Sequence, residues 1–123
     1  MGENKDYVIL PEEDGSIHIA EEVIAAITVG AVRDVEGVSG MMTSMGSISE
    51  LTNRKNAQKG VKGVRIDMSG EALVLDVYIT VQYGSAIPEV AENAQKAIAG
   101  AVEAMAGCKV SAVNIHVGGV TIA

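Results

Sequence analysis

The feature that most constrains the fold of this chain is an alternation of apolar and mostly polar side chains between residues 73 and 83. Every odd position in this run is apolar, whereas Asp76, Thr80 and Gln82 occupy even positions. Successive side chains of a β-strand point to opposite faces, so a period of two predicts a strand with one face in the core. The predicted inward side chains are Leu73, Leu75, Val77, Ile79, Val81 and Tyr83.

A shorter alternating run precedes this strand and is joined to it by a turn at residues 69–71. Two alternating runs separated by a short turn that contains glycine are typical of an antiparallel hairpin. We expect Val64, Ile66 and Met68 to lie on one side of the first strand, with Arg65 and Asp67 on the other.

Two other segments repeat apolar residues with helical spacing. The first has acidic residues at positions 21–22, where the positive end of the helix dipole favours carboxylates, and it ends before Gly37. The second has Ser85 as its predicted N-cap, Pro88 in its first turn and Gly107 as its C-terminal cap.

The remaining elements complete the predicted order β-α-(short α)-β-β-α-β. A short strand around Ile17 and Ile19 precedes the first helix, and a last strand runs from Lys109 to a glycine pair at 118–119. The short helix is predicted at residues 47–51, where an S-x-x-E pattern fits a capping box. The strand–helix–strand unit at the end should be right-handed and parallel. The predicted fold class is α+β, a two-layer sandwich of a mixed β-sheet with two main helices on one face.

The composition fits one domain with an aliphatic core. Hydrophobic residues make up 48% of the 123 residues, Phe and Trp are absent, and Cys108 is the single cysteine. This content excludes general disorder, and one cysteine excludes an internal disulfide framework. We expect residues 15–123 to form the domain and residues 1–14 an acidic N-terminal tail, in which residues 7–10 form a docking strip.

The charge balance argues against a nucleic-acid or lipid surface. Sixteen acidic residues against nine basic ones give a net charge of −7, which repels polyanions. The N-terminus lacks the apolar segment of a signal peptide, and the longest apolar run, residues 23–32, is too short to span a bilayer. The sequence therefore predicts a cytoplasmic protein that does not itself insert into the membrane.

The outward positions of the predicted strands form a polar row that could carry chemistry. Histidines and aspartates on one sheet face could bind a metal or transfer protons. No metal-ligand spacing such as H-E-x-x-H occurs, and alternation alone explains these positions, so we favour a solvated face with cross-strand pairs. The row consists of His18, Arg65, Asp67, Asp76, Tyr78, Thr80, Asn114 and His116.

Five of the nine basic residues lie between residues 54 and 65, with no acidic residue among them. The G-V-K-G run at 60–63 has the GxxG pattern of a KH-domain phosphate clamp, so a KH-like nucleic-acid-binding module is the alternative function. A KH clamp joins two helices, however, whereas this run leads directly into a strand. We therefore favour a solvated loop or a contact for an acidic partner, made by Arg54, Lys55, Lys59, Lys62 and Arg65.

Three of the six methionines, Met41, Met42 and Met45, lie within five residues of a glycine-rich segment. Methionine adapts to irregular surroundings both in cores and at binding surfaces. We expect part of this cluster to pack in the core, and we treat all three as candidate partner contacts.

Catalytic motifs are missing from the sequence. Cys108 follows the predicted end of a helix, where the dipole disfavours a thiolate, and no G-x-S-x-G, Walker or G-x-G-x-x-G motif occurs. The sequence therefore predicts a non-enzymatic protein with no cofactor and no metal. A small-residue helix face, made of Ala97, Gly100, Ala101 and Ala104, predicts a homo-oligomer.

Several blocks in a fixed order resemble the alkaline shock protein twenty-three family of envelope stress response proteins. They are GSIHIAEEVI at 15–24, AVRDVEGVSGM at 31–41, KGV at 59–61, LDVYITVQYG at 75–84, IPEVA at 87–91 and VNIHVGGV at 113–120. The resemblance implies a small, cytoplasmic, non-enzymatic protein of Gram-positive bacteria with a role in cell-envelope homeostasis. It also implies a protein partner, such as a membrane-embedded anchor, and supplies no catalytic residues.

Overall fold

The alternating run forms the central strand of a four-stranded sheet in the computed structural model, which describes residues 7–41, 63–69 and 72–122. The elements of these residues, in chain order, are β1 (Tyr7–Glu12), β2 (Gly15–Ala20), α1 (Glu21–Arg33), β3 (Val38–Met41), β4 (Val64–Ser69), β5 (Ala72–Gln82), α2 (Ile87–Ala106) and β6 (Lys109–Thr121).

Strand β5 is paired on both of its edges. Along one edge it runs parallel to β6 over its full length. The other edge is shared by two antiparallel strands, because β4 pairs with the first half of β5 and β3 with residues 79–81. The predicted hairpin and the predicted parallel pair are both confirmed, and β3 is an additional strand.

The core lies between this sheet and the two helices. Leu73, Leu75, Val77, Ile79 and Val81 of β5 are all at most 1% exposed, as the alternation predicts. Both helices contribute fully buried side chains to the same cluster and pack against each other. The α+β class with helices on one sheet face is therefore confirmed. The helical members of the cluster are Ile24 and Val32 from α1, and Val90, Ala94, Ile98, Val102 and Ala106 from α2.

The predicted helix ends are confirmed in part. Gly107 is left-handed, with a φ of 73°, and its N–H donates to the carbonyl of Glu103 over 3.1 Å. Pro88 lies in the first turn of α2, but the N-cap is Ala86, without a side-chain hydrogen bond. Ser85 is not the cap because the helix begins at Ile87, one residue later than a cap at Ser85 requires, and its backbone N–H donates to the carbonyl of Gln82 in the preceding turn.

Two predictions at the end of the sheet are wrong. Tyr83 is 74% exposed instead of inward, because β5 ends at Gln82. The glycine pair at 118–119 does not end β6, which continues to Thr121 across a register shift opposite Ile79 and Thr80. A β-bulge absorbs the extra residue, so the strand continues in pairing beyond it.

Residues 7–12, which lie in the tail predicted from the sequence, form strand β1. It pairs antiparallel with β2 in a two-stranded ribbon. Val8 is 2% exposed, and Leu10 and Ile19 pack against the main core. The predicted docking strip is therefore a paired strand with one apolar side in the core. The short helix predicted at 47–51 lies outside the described residues.

Gly37 is required both by its backbone conformation and by its neighbours. Its φ is 97°, a region that L side chains rarely adopt, and its carbonyl accepts the N–H of Gln82. A Cβ placed there would lie 2.5 Å from Cγ2 of Val90. The turn between α1 and β3 therefore holds this end of the sheet against α2.

We predict that Gly37→Ala lowers the free energy of unfolding by about 1–3 kcal/mol, since it adds backbone strain and a clash with Val90. Gly30→Ala is the matched control, because Gly30 lies in α1 with nothing within 4 Å of an added Cβ. The control should stabilise the protein by about 0.5–1 kcal/mol. Urea unfolding of both variants measures the difference, and equal effects would contradict this role for Gly37.

Candidate functional site on the open sheet face

The even-numbered side chains of β5 lie on the sheet face opposite the helices, together with their neighbours on β4 and β6. Arg65 is the cross-strand partner of Asp76, and Asp76 is in register with Asn114. Tyr78 is in register with His116. The strand pairing therefore brings side chains that are distant in sequence into one patch. We call Arg65, Asp67, Asp76, Tyr78, Asn114 and His116 the polar face.

Asp76 is the centre of the hydrogen bonding on the polar face. Its Oδ1 accepts a hydrogen bond from Nδ2 of Asn114 over 3.2 Å and lies 3.0 Å from Nε2 of His116. The carboxylate is less accessible than its partner, with 23% of the Asp76 side chain exposed against 44% of the His116 side chain. Two donors on one oxygen fix the carboxylate in position.

The pKa of Asp76 lies below its ordinary value of 3.8. The hydrogen bond from His116 is the main cause, and the hydrogen bond from Asn114 and the charge of Arg65 act in the same direction. Partial burial opposes this shift without cancelling it. The polar face therefore keeps a negative charge at its centre across the neutral pH range.

Tyr78 and His116 stack on each other beside the carboxylate. Their ring centroids are 4.3 Å apart and the ring planes differ by 15°. Stacking restrains the imidazole on one side while its Nε2 is held by Asp76. The face thus presents an ordered aromatic pair with polar groups around it.

Three hydroxyl groups extend the polar surface toward the end of the sheet, and only that of Thr80 is predicted from the sequence. Oγ of Ser39 lies 2.8 Å from Oγ1 of Thr80 and 2.8 Å from Oγ1 of Thr121. Ser39 and Thr121 were missed because they join this surface only through the pairing of β3 and β6 with β5. The alternation in β6 could have indicated Thr121 if the bulge had been foreseen.

His18 is not part of the polar face, so the prediction that both histidines share one row is wrong. It lies on β2, which belongs to the separate β1–β2 ribbon. Its Nε2 is 2.9 Å from Oγ of Ser16, and its ring contacts Tyr7 edge-on. Within residues 7–41, 63–69 and 72–122, no group of three or more His, Cys, Asp or Glu side chains is placed to hold a metal ion.

The candidate partner contacts fall in different places. Met41 ends β3 and packs half-buried against the core, whereas Arg65 is exposed on the polar face. On the small-residue helix face, Gly100 and Ala104 are exposed, while Ala97 packs against the core. The other candidates, Met42, Met45, Arg54, Lys55, Lys59 and Lys62, lie outside the described residues.

Cys108 is a buried side chain of the core. It is 3% exposed, and desolvation raises the pKa of its thiol above the ordinary value of 9.0. A buried, protonated thiol is a poor nucleophile.

We predict that Asp76→Asn destabilises the protein by about 1 kcal/mol at neutral pH, because it removes a charged acceptor shared by Asn114 and His116. A carboxyl whose pKa is lowered by folding stabilises the fold above its unfolded pKa, and this contribution is lost as the pH falls through the folded pKa. The difference from wild type should therefore be full above about pH 5 and shrink below about pH 4.

The measurement is urea unfolding of both proteins at a series of pH values. Asp67→Asn is the matched control, since Asp67 carries the same charge on the same face without accepting a bond from Asn114 or His116 in the described structure. An equal pH dependence for the two variants would contradict the role of Asp76.

In the described part of the chain, no helix is both long enough and apolar enough to cross a membrane.

Comparison with known proteins finds bacterial relatives that match most of the chain. It is 37% identical to the uncharacterized protein YloU of Bacillus subtilis over 108 residues, which cover 88% of this chain and 90% of that protein. It is 33% identical to the uncharacterized protein YqhY of the same organism, over 86% of this chain and 77% of the relative. Among solved structures, MamM CTD H264E aligns with 80% of this chain and 94% of its own, at 17% identity and a TM-score of 0.49.

A family model matches residues 10–122, which include every element from β2 to β6 and the whole polar face. This match covers far more than half of the chain and agrees with the resemblance carried by the sequence blocks. The chain belongs to the alkaline shock protein twenty-three family, whose described role is a cell envelope-related function.

Proposed function

We propose that this protein is a non-enzymatic, cytoplasmic member of its family that serves envelope homeostasis by binding another protein through the polar face. The observation that carries the proposal is the Asp76 cluster, in which a carboxylate, an amide and a stacked aromatic pair are held in order on an exposed sheet face. The partner that best fits a cell-envelope role is a membrane-embedded anchor protein.

The composition of the polar face fits a protein partner. Tyr and Arg are enriched among the residues that contribute most to binding in protein interfaces, and Tyr78 and Arg65 lie next to the central carboxylate. The ring of Tyr78 is restrained before binding by stacking on His116, and strand pairing fixes the backbone of both residues. Preordered side chains lose less conformational entropy when a partner binds.

The same groups do not form an obvious catalytic centre. The His116–Asp76 pair orders an imidazole, but no Ser, Thr, Cys or Lys side chain of the described residues is hydrogen-bonded to that imidazole. The only cysteine is buried in the core. Nucleophilic catalysis needs a nucleophile within reach of its base, so a binding role accounts for the cluster better.

The Met41–Met45 segment and the basic residues at 54–65 remain proposed as a second contact region. Arg65 belongs to both regions, since it ends the basic run in sequence and is exposed on the polar face. An acidic partner segment would complement this basic run. Asp67 and Asp76, which lie beside Arg65 on the polar face, would repel phosphate groups. This repulsion favours a protein over a nucleic acid as the partner.

The test is an affinity pull-down of tagged protein from gently solubilised host cells, with and without nuclease. We expect an integral membrane protein to be recovered in both conditions. Arg65→Ala and His116→Ala should each lower its recovery at least about fivefold, since each removes a side chain from the polar face. Lys96→Ala is the matched control, because Lys96 is an exposed basic residue on α2, on the opposite layer.

Two results would contradict the proposal. Recovery of RNA or ribonucleoproteins that disappears with nuclease would favour the KH-like alternative. Equal recovery of the membrane protein by Arg65→Ala, His116→Ala and Lys96→Ala would exclude the polar face as its binding surface. Circular dichroism of each variant shows whether a loss of binding reflects a loss of the fold.

A further inference from the structure

Strand β6 has a long edge that no strand of the described residues occupies. Its thirteen residues pair with β5 on one side only, among residues 7–41, 63–69 and 72–122. A strand edge exposes unpaired N–H and C=O groups and can add a further strand. The orientation of its backbone N–H and C=O groups shows which residues of β6 could bond to a further strand.

The hydrogen bonds of β5 fix that orientation. The N–H groups of Tyr78 and Gln82 donate to the carbonyls of Gly63 and Gly37, so the even residues of β5 face β4 and β3. The N–H of Tyr83 donates to Thr121, so the odd residues face β6. In a parallel pair, a β6 residue that lies opposite a β5 residue bonded to β6 directs its own N–H and C=O away from β5. The register therefore places Val110, Val113, Ile115, Val117 and Val120 with their backbone groups on the outer edge.

Side chains of α2 occupy the first half of this edge. Oε2 of Glu103 accepts the N–H of Val110 over 3.2 Å, and Nε2 of Gln95 donates to the carbonyl of Val113 over 2.9 Å. Both contacts involve backbone groups that the register places on the outer edge of β6. The two hydrogen bonds therefore support the orientation derived from the register. No described side chain makes an equivalent contact with the backbone of Ile115, Val117 or Val120.

The second half of the edge also lacks the usual protection against strand addition. Natural edge strands carry charged residues or proline, whereas residues 110–122 contain no Asp, Glu, Lys, Arg or Pro. Val120 is 48% exposed and Ile122 is 76% exposed. The unpaired backbone thus adjoins exposed apolar side chains.

We propose that β6 pairs antiparallel with β6 of a second copy, with Val117 opposite Val120 and Ile115 opposite Ile122 across a two-fold axis. This proposal deepens the proposed function, on which it rests for the premise that the protein acts through protein contacts, by naming a second copy as one partner. The pairing would continue the sheet from one subunit into the next.

The β-bulge favours a second copy over an unrelated strand. The register shift between Ile79 and Thr80 leaves one extra residue of β6 at the glycine pair 118–119. In the proposed register the extra residue of each copy lies at the two-fold axis. On both sides of the axis, residues whose N–H and C=O point outward in one copy are therefore opposite such residues in the other copy. A regular strand would have to accommodate the extra residue by itself.

The charges along this edge are compatible with the same occupant. Each chain carries a net charge of −7, which opposes association through most surfaces. Along the open half of β6 the only titratable side chain is that of His116, on the polar face. Two copies can therefore join along this edge without bringing carboxylates of the edge itself together.

The test combines sedimentation velocity with amide hydrogen exchange by NMR, over chain concentrations from about 1 µM to about 1 mM, because so small an interface should be weak. We expect a dimer at high concentration. The amides of Ile115, Val117 and Val120 should become protected as the dimer forms, whereas those of Asn114 and His116, which face β5, should be protected at every concentration.

Val120→Pro should weaken the dimer at least about tenfold, because it removes an outward N–H from both copies without removing a bond to β5. Ile122→Glu is a second variant, at a position that is largely exposed in the single chain, and it should weaken the dimer as well. Ala104→Glu is the matched control on the small-residue face of α2. It should leave the dimer intact.

Four results would overturn the proposal: a monomer at every concentration, a dimer whose outward amides are not protected, protection that does not depend on concentration, or a dimer lost in Ala104→Glu but kept in Val120→Pro. The third result would mean that the chain covers its own edge, and the fourth that the helix face is the interface. None of them tests binding to the polar face, so failure here leaves the proposed function standing.

Discussion

The burial of one face of β5 is the constraint on which the rest of this structure depends. Five aliphatic side chains at alternate positions are removed from water almost completely, and each stabilises the fold by roughly 1.5–3 kcal/mol. No Phe or Trp is available to fill the core, so both helices must approach the sheet closely with Val, Ile and Ala. The close contact of Gly37 with Val90 follows from this tight packing.

The same alternation creates the polar face. A strand that buries its odd residues must present its even ones on the other side, so Asp76 and Tyr78 are fixed on a surface opposite the helices. Pairing with β6 then supplies Asn114 and His116, and pairing with β4 supplies Arg65. The site is thus a direct product of the sheet that forms the core, which explains how a chain without a catalytic motif orders a carboxylate and an imidazole. It also links the surface to stability, since the hydrogen bonds of Asp76 join β5 to β6.

The β-bulge in β6 has consequences on both sides of the sheet. It allows the strand to pass the two glycines and reach Thr121, whose hydroxyl group then meets Ser39 from β3. It also lies in the second half of the outer edge, beyond Val113, the last position at which a side chain of α2 is hydrogen-bonded to the backbone in the described residues. Glycine permits this arrangement because an added Cβ at Gly119 would lie only 3.2 Å from Cγ2 of Thr80. From the sequence alone, two adjacent glycines after an alternating run indicate the end of a strand, which is why the prediction stopped there.

The sequence by itself determined the class of the fold, the central hairpin, the parallel pair, both helices and the outward residues of β4, β5 and β6 that form the polar face. These follow from local periodicity and from glycine and proline at element ends, which act over a few residues. Tertiary structure alone decided that residues 7–12 join a ribbon, that His18 lies apart from His116, and that Ser39 and Thr121 share a hydroxyl network. Each of these depends on which strands pair and where a bulge shifts the register. A period of two predicts which face a side chain occupies, but only strand pairing across the sheet determines its neighbours.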